Sequence, residues 1–180
     1  MCEICSNFNP LAKECHYGGE AQVFRETTDA ASSVSTIYTI EAGDSFDGNM
    51  GVSDSDWVRI ELTAGDSYRF DLTGDSFGLR DPLLALRDSN GVIVAFDDDG
   101  GPGLDSSLSF TAVASGDYYL DATSYSFAAG GLSTDTGGYM LETEVTATGD
   151  GDTGSGDDNF GFDETSDAAA DATTAFSVDV

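Results

Sequence analysis

The chain has 180 residues, enough for one ordinary domain with extensions and too few for a large multidomain enzyme. Six Lys and Arg stand against 34 Asp and Glu, a formal charge of −28, which excludes nucleic-acid binding by phosphate neutralisation and docking on an anionic membrane leaflet. Hydrophobic residues at 39% and aromatics at 11% are too many for a wholly disordered acidic chain, so part of it buries a core, and cations are its natural partners.

Residues 1–28 read as an irregular leader. They hold no basic n-region and no apolar h-region, and no segment of the chain has the apolar length of a membrane span. One Lys among many Asp, Ser, Thr and Gly is the surface of an exported, salt-tolerant protein, so the expectation is secretion by a route that reads no N-terminal signal. Cys2, Cys5 and Cys15, the last beside His16, supply soft donors suited to tetrahedral zinc, but adjacent Cys15 and His16 are poor geometry for two ligands on one ion. A thiol switch and plain free thiols fit the same residues, and the three readings stay open. The rest of the chain has no cysteine, so the main domain holds no disulfide.

From Asp29 onward, short apolar alternations are bounded by Gly, Asp, Ser and Asn, the pattern of a sandwich or barrel. Strands are predicted at residues 36–41, 57–62, 68–72, 83–87, 92–96, 107–111, 117–123 and 139–145. The fold class is therefore all-β, an antiparallel, jelly-roll-like β-sandwich of about eight strands over residues 29–146. Val58, Ile60 and Leu62 alternate as Tyr68, Phe70 and Leu72 do, which predicts a hairpin about Gly65 with Glu61 opposite Arg69 and Arg59 opposite Asp71. Ser89-Asn90-Gly91 predicts a second hairpin closed by a type I′ turn. Residues 147–166 read as an acidic Gly/Asp linker. Residues 167–179 align without gaps on residues 29–41 with four identities, so 167–180 reads as the start of a truncated second copy, against a background of shared low complexity.

The acids concentrate in Asp97-Asp98-Asp99-Gly100-Gly101-Pro102-Gly103-Leu104-Asp105, straight after a strand. Consecutive like charges on a loop repel one another, and a hard cation removes the repulsion, because Ca²⁺ takes six to eight oxygen ligands in forgiving geometry. The spacing is not that of an EF-hand, and Gly100 to Asp105 matches only the first part of a β-roll calcium repeat. With Asp81 at the other end of the hairpin, Asp81, Asp97, Asp99 and Asp105 are expected to converge on one ion, with Asp98 in the same loop pointing to solvent. Asp54 and Asp56 form a weaker second candidate. The competing reading of both groups is a solvated acidic face. The single histidine, His16, lies in the leader, so the folded part offers no histidine base for a nucleophile and no activity is expected of this chain. Tyr119, Tyr125 and Phe127 fall off the inward face of their strand and are candidates for binding a polymer such as collagen or polysaccharide, with loop packing as the alternative.

Asp54-Ser-Asp-Trp-Val-Arg-Ile-Glu-Leu62, Asp81-Pro-Leu-Leu84, Asp97-Asp-Asp-Gly100 and Gly116-Asp-Tyr-Tyr-Leu120, in that order, resemble the bacterial pre-peptidase C-terminal domain. The resemblance implies a β-sandwich attached to a secreted peptidase, serralysin-like metalloproteases among them, and a noncatalytic, calcium-binding accessory role in folding, secretion or substrate engagement. It implies as partners Ca²⁺ and a protease domain of the same polypeptide, and export by a type I system. Cys2, Cys5 or Cys15 would then be placed to cap the zinc of such a protease. A polymer-binding adhesive module and a structural spacer in a tandem array are the alternatives.

Overall fold

Among the described residues ten strands form: β1 (Val23–Arg25), β2 (Thr39–Ile40), β3 (Ser45–Met50), β4 (Ser55–Leu62), β5 (Ser67–Gly74), β6 (Pro82–Arg87), β7 (Ile93–Asp97), β8 (Ser106–Thr111), β9 (Gly116–Ser124) and β10 (Gly137–Ala147). A four-residue helix, α1 (Tyr125–Ala128), follows β9. This is the architecture of a computed structural model that describes residues 20–75 and 78–149. Cys2, Cys5, Cys15, His16 and the repeat at 167–180 lie outside the described residues.

Two five-stranded sheets, ordered β1-β3-β10-β5-β8 and β2-β4-β9-β6-β7, make a β-sandwich. Neighbours run antiparallel except the outer pairs β1–β3 and β2–β4, which are parallel. The inner faces meet in a core in which Phe46, Phe70 and Leu141 from one sheet pack against Ile60, Leu84 and Leu120 from the other. Each predicted strand is present, though the first shrinks to Thr39–Ile40. Sequence patterning missed two. β1 is three exposed residues with too few positions to show a period, and β3 carries Gly48 and Asn49, which read as turn residues. β1 also moves residues 23–25 from the expected leader into the sandwich.

The expected hairpin of β4 and β5 does not form. β4 pairs with β9 and β2, and β5 pairs with β10 and β8, so the turn between them crosses from one sheet to the other. Gly65, at φ +88°, makes that crossing, and its N–H donates to Ala112 O at 2.8 Å, tying it to the neighbouring β8–β9 crossing. Apolar alternation marks which residues face inward, and an inward face looks the same whether the next strand lies beside it or across the core. The arginines are consequently paired elsewhere: Arg59 with Asp117 at 2.6 Å, and Arg69 with Asp71 on its own strand at 2.8 Å.

The β6–β7 hairpin does form, with Leu84 opposite Asp97 and Leu86 opposite Ala95. Its turn differs from the expected type I′. Gly91 has φ +79° whereas Asn90 does not take positive φ, and Gly91 N–H donates to Asp88 O at 2.9 Å. The Asp88 carboxylate accepts from the N–H groups of Asn90 and Val92, both at 2.9 Å, which stabilises the longer loop over the two-residue one.

The outer face of the second sheet is closed by an aromatic and ionic cluster. The Arg87 guanidinium lies 4.5 Å from the centre of the Trp57 ring, and its Nε donates to buried Asp121 at 2.7 Å. Asp121 also accepts from Ser55 Oγ at 2.5 Å, and Ser55 Oγ takes the Trp57 indole N–H at 3.1 Å. The segment between β1 and β2 covers this cluster, with Tyr119 donating its hydroxyl to Val34 O at 3.3 Å.

Candidate metal centres

Asp56 shares the inward side of β4 with Val58, Ile60 and Leu62, so the strand's own period drives a carboxyl into the core. It is 0% exposed. Its Oδ2 accepts the Tyr139 hydroxyl at 2.9 Å, a bond that spans the two sheets, while its Oδ1 has no protein partner. Tyr139 reaches across because its neighbour on β3 is Gly48, and any Cβ at that position would overlap the Tyr139 ring. Gly48→Ala is expected to push the ring off Asp56 and lower the stability by about 1–3 kcal/mol, measured by urea unfolding.

Two acids from the chain entering the sandwich face Asp56. Glu26 follows β1 directly and Asp29 lies three residues on; one carboxylate oxygen of each and one of Asp56 lie within 4.8 Å of one another. Glu26 is held in place by the main chain, with Oε1 accepting from Ala30 N at 2.8 Å and Oε2 from Asn49 N at 2.6 Å. Burial, offset by the Tyr139 hydrogen bond and reinforced by the charges of Glu26, Asp54 and Asp29, pushes the Asp56 carboxyl up to about 8. Burial and the Asp56 charge push the Tyr139 hydroxyl well above its ordinary value. A buried carboxyl with an unmatched oxygen and two further carboxylates at its side is costly in isolation and suits a hard divalent cation.

Asp54, expected as a partner of Asp56, is spent locally. Its Oδ2 accepts from Gly51 N at 3.1 Å and its Oδ1 from Ser55 N at 2.8 Å, so it closes the turn before β4. Glu26 and Asp29 escaped sequence reading because they sit in the segment assigned to the leader and its boundary, about 30 positions from Asp56.

The triple-acid loop forms a second cluster, with different members from those expected. Asp81, Asp98 and Asp99 come within 4.8 Å of one another. Asp97 is instead a clamp, its Oδ2 accepting from Gly100 N at 2.9 Å and Ser107 N at 2.8 Å. Asp105 is another, accepting from Gly74 N at 3.1 Å. Asp98, expected in solvent, turns inward with its Oδ1 buried and unpartnered. Burial first and then Asp99, Asp81 and Asp97 raise its carboxyl, and burial followed by Asp99 and Asp135 raises that of Asp81. The cause of the exchange is local: open main-chain N–H groups capture the nearest carboxylates, and the remaining acids are left to face one another. Gly100 to Asp105 is a loop between strands of opposite sheets and no β-roll turn.

The polymer candidates also part company. Tyr119 is only 6% exposed beneath the segment at Val34, whereas Tyr125 is 47% exposed on α1 and Phe127 is half-buried there.

Residues 54–124, from the Asp54 turn to the end of β9, match the model of the family described as the bacterial pre-peptidase C-terminal domain, and of the first cluster only Asp56 falls within that span. Over that span the chain is similar to the bacterial pre-peptidase C-terminal domain. The domain of that name from the collagenase of Bacillus anthracis is 17% identical, with a TM-score of 0.46 over 59% of this chain and 93% of its own. The Aeromonas hydrophila PliG, a periplasmic inhibitor of g-type lysozyme, is 13% identical, with a TM-score of 0.41 over 60% of this chain and 96% of its own. CorA, a surface-associated copper-binding protein of Methylomicrobium album BG8, is 12% identical, with a TM-score of 0.40 over 61% and 98%. No curated protein matches the sequence. No helix among the described residues is long and apolar enough to cross a membrane.

Proposed function

We propose that this chain carries a pre-peptidase C-terminal domain acting as a noncatalytic, calcium-binding accessory module of a secreted protease, assisting folding, export or substrate engagement of a catalytic domain in the same polypeptide. The observation that carries the reading is Asp56, wholly buried with one carboxylate oxygen unmatched and the carboxylates of Glu26 and Asp29 beside it. Calcium suits this donor set because it takes only oxygen ligands and tolerates irregular geometry, with main-chain carbonyls and water completing the shell. Bound there, the ion would tie the segment after β1 to the buried start of β4 and remove the cost of an uncompensated carboxylate. Asp81, Asp98 and Asp99 favour a second, weaker site on the same grounds, through the unmatched Asp98 Oδ1.

Calorimetric titration of the whole chain with Ca²⁺ tests this. Two classes of site are expected, the tighter one lost in Asp56→Asn and the weaker one in Asp98→Asn, with K⁺ at equal ionic strength giving neither. Absence of calcium binding at millimolar concentration would leave Asp56 a buried acid and Asp81, Asp98 and Asp99 an acidic loop, and sink the proposal. The polymer reading now rests on Tyr125 and the half-buried Phe127, because Tyr119 is covered. A pull-down on insoluble collagen and chitin, repeated with Tyr125→Ala, separates it from the calcium reading.

A further inference from the structure

Three of the four outer strands are poorly suited to accept another strand. β1 and β2 are three and two residues long, and β8 turns Ser109 and Thr111 outward. β7 is different: Ile93-Val94-Ala95-Phe96-Asp97 has no Lys, Pro or Gly, and β6 is its only strand neighbour among the described residues. Ile93, Val94 and Phe96 are all exposed, Phe96 by 63%. Natural sheets blunt such edges with charge, proline or bulges, because free main-chain N–H and C=O groups template pairing. The devices here are confined to its ends, a bulge at Ile93 and the charge of Asp97, which leaves residues 95–97 in regular register with β6. Alongside, a groove of about 480 Å³ runs between the open edges of the two sheets, lined by Val94, Phe110, Val113 and Tyr118 and rimmed by Asp88 and Asp117.

Charge decides the occupant. Asp88 precedes β7, Asp97 ends it and exposed Asp99 follows, so both ends of the edge are acidic. In an antiparallel pair of two β7 strands, the acids after one strand would approach Asp88 before the other, twice over, in chains each carrying −28. Like charges set opposite one another destabilise a strand pair, whereas a partner with basic ends turns the same acids into attraction. We propose that β7 receives an extended peptide, alternating in apolar residues and flanked by Lys or Arg, as a sixth strand of its sheet, with apolar side chains seated against Val94, Phe110 and Val113. Main-chain pairing supplies the affinity in such strand addition, and the groove and the acidic ends supply the selectivity.

The probe is a fluorescein-labelled peptide, Lys-Arg-Thr-Val-Thr-Ile-Thr-Arg-Lys, titrated with the whole chain and read by fluorescence anisotropy. Saturable binding is expected. Replacing the four basic residues by Glu is expected to weaken it by at least about tenfold, and N-methylating alternate peptide amides along the pairing edge by a similar factor with charge unchanged. Phe96→Thr combined with Val113→Ser, both at exposed positions, is expected to weaken binding while the unfolding midpoint holds. Equal affinity for the N-methylated peptide would reduce the interaction to charge alone and overturn strand addition, as would no binding or unchanged affinity in the double variant. A concentration-dependent dimer dispersed by the same double variant, seen by sedimentation, would give β7 to a second copy and also overturn the proposal.

Discussion

Calcium at about 1 mM is expected to raise the unfolding midpoint of the whole chain by roughly 10 °C over chelator, and Asp56→Asn is expected to remove most of that rise. The size follows from ligand linkage: a site with a dissociation constant near 10 μM adds about 2.7 kcal/mol at that concentration. Asn keeps the shape of Asp56 and an oxygen for the Tyr139 hydroxyl, so the variant tests the charge and not the packing. Any rise that survives belongs to Asp81, Asp98 and Asp99 and disappears when Asp98→Asn is added. Both thermal scans belong at one high ionic strength, because general screening of a −28 chain stabilises it without any specific site. An Asp56→Asn protein with the full wild-type rise would remove Asp56 from the metal-binding group.

The second large effect is on pH in the absence of divalent cations. Burial and neighbouring acids lift Asp56 in the folded chain to about 8, against an ordinary value of 3.8. The native state therefore holds a proton that the unfolded chain has released, and its contribution to stability is full below the lower value and lost as pH rises through the upper one. From about pH 6 to about pH 9 the chelated protein is expected to lose about 2.5 kcal/mol, read from urea unfolding at each pH. Asp56→Asn flattens that limb and is the more stable protein at its alkaline end, because an amide carries no charge to bury. In calcium the wild-type limb is expected to flatten too, since the cation would take the place of the proton. A chelated wild type with level stability across this range would show that Asp56 ionises there at no cost, which contradicts its burial. Ordinary exposed carboxylates have finished titrating below this window, and the part of the slope that Asp56→Asn removes reports the buried group.

The strands were legible because side chains on a strand alternate between faces, and burial of one face writes that period into Val58, Ile60, Leu62, Tyr68, Phe70 and Leu72. The acidic loop after β7 and the turn at Gly91 were legible for local reasons, a run of like charges and a residue that accepts positive φ. The family resemblance likewise lay in contiguous residues, and the matched span of 54–124 covers the same strands.

What only the tertiary structure decided is which distant groups share a space. Period-two alternation states that Tyr68 faces inward and not which sheet it faces inward from, so β5 left its expected partner for β10 and β8. The same limit hid the Asp56 cluster, since Glu26 and Asp29 reach it only because β1 pairs with β3 and β10 lends Tyr139 across the core. Within the triple-acid loop the sequence set the charge, but main-chain N–H groups chose Asp97 and Asp105 as clamps and left Asp98 and Asp99 to meet Asp81. Composition and period are properties of neighbours along the chain, whereas a cation site and a sheet order depend on contacts between segments far apart in sequence, which only the packed fold brings together.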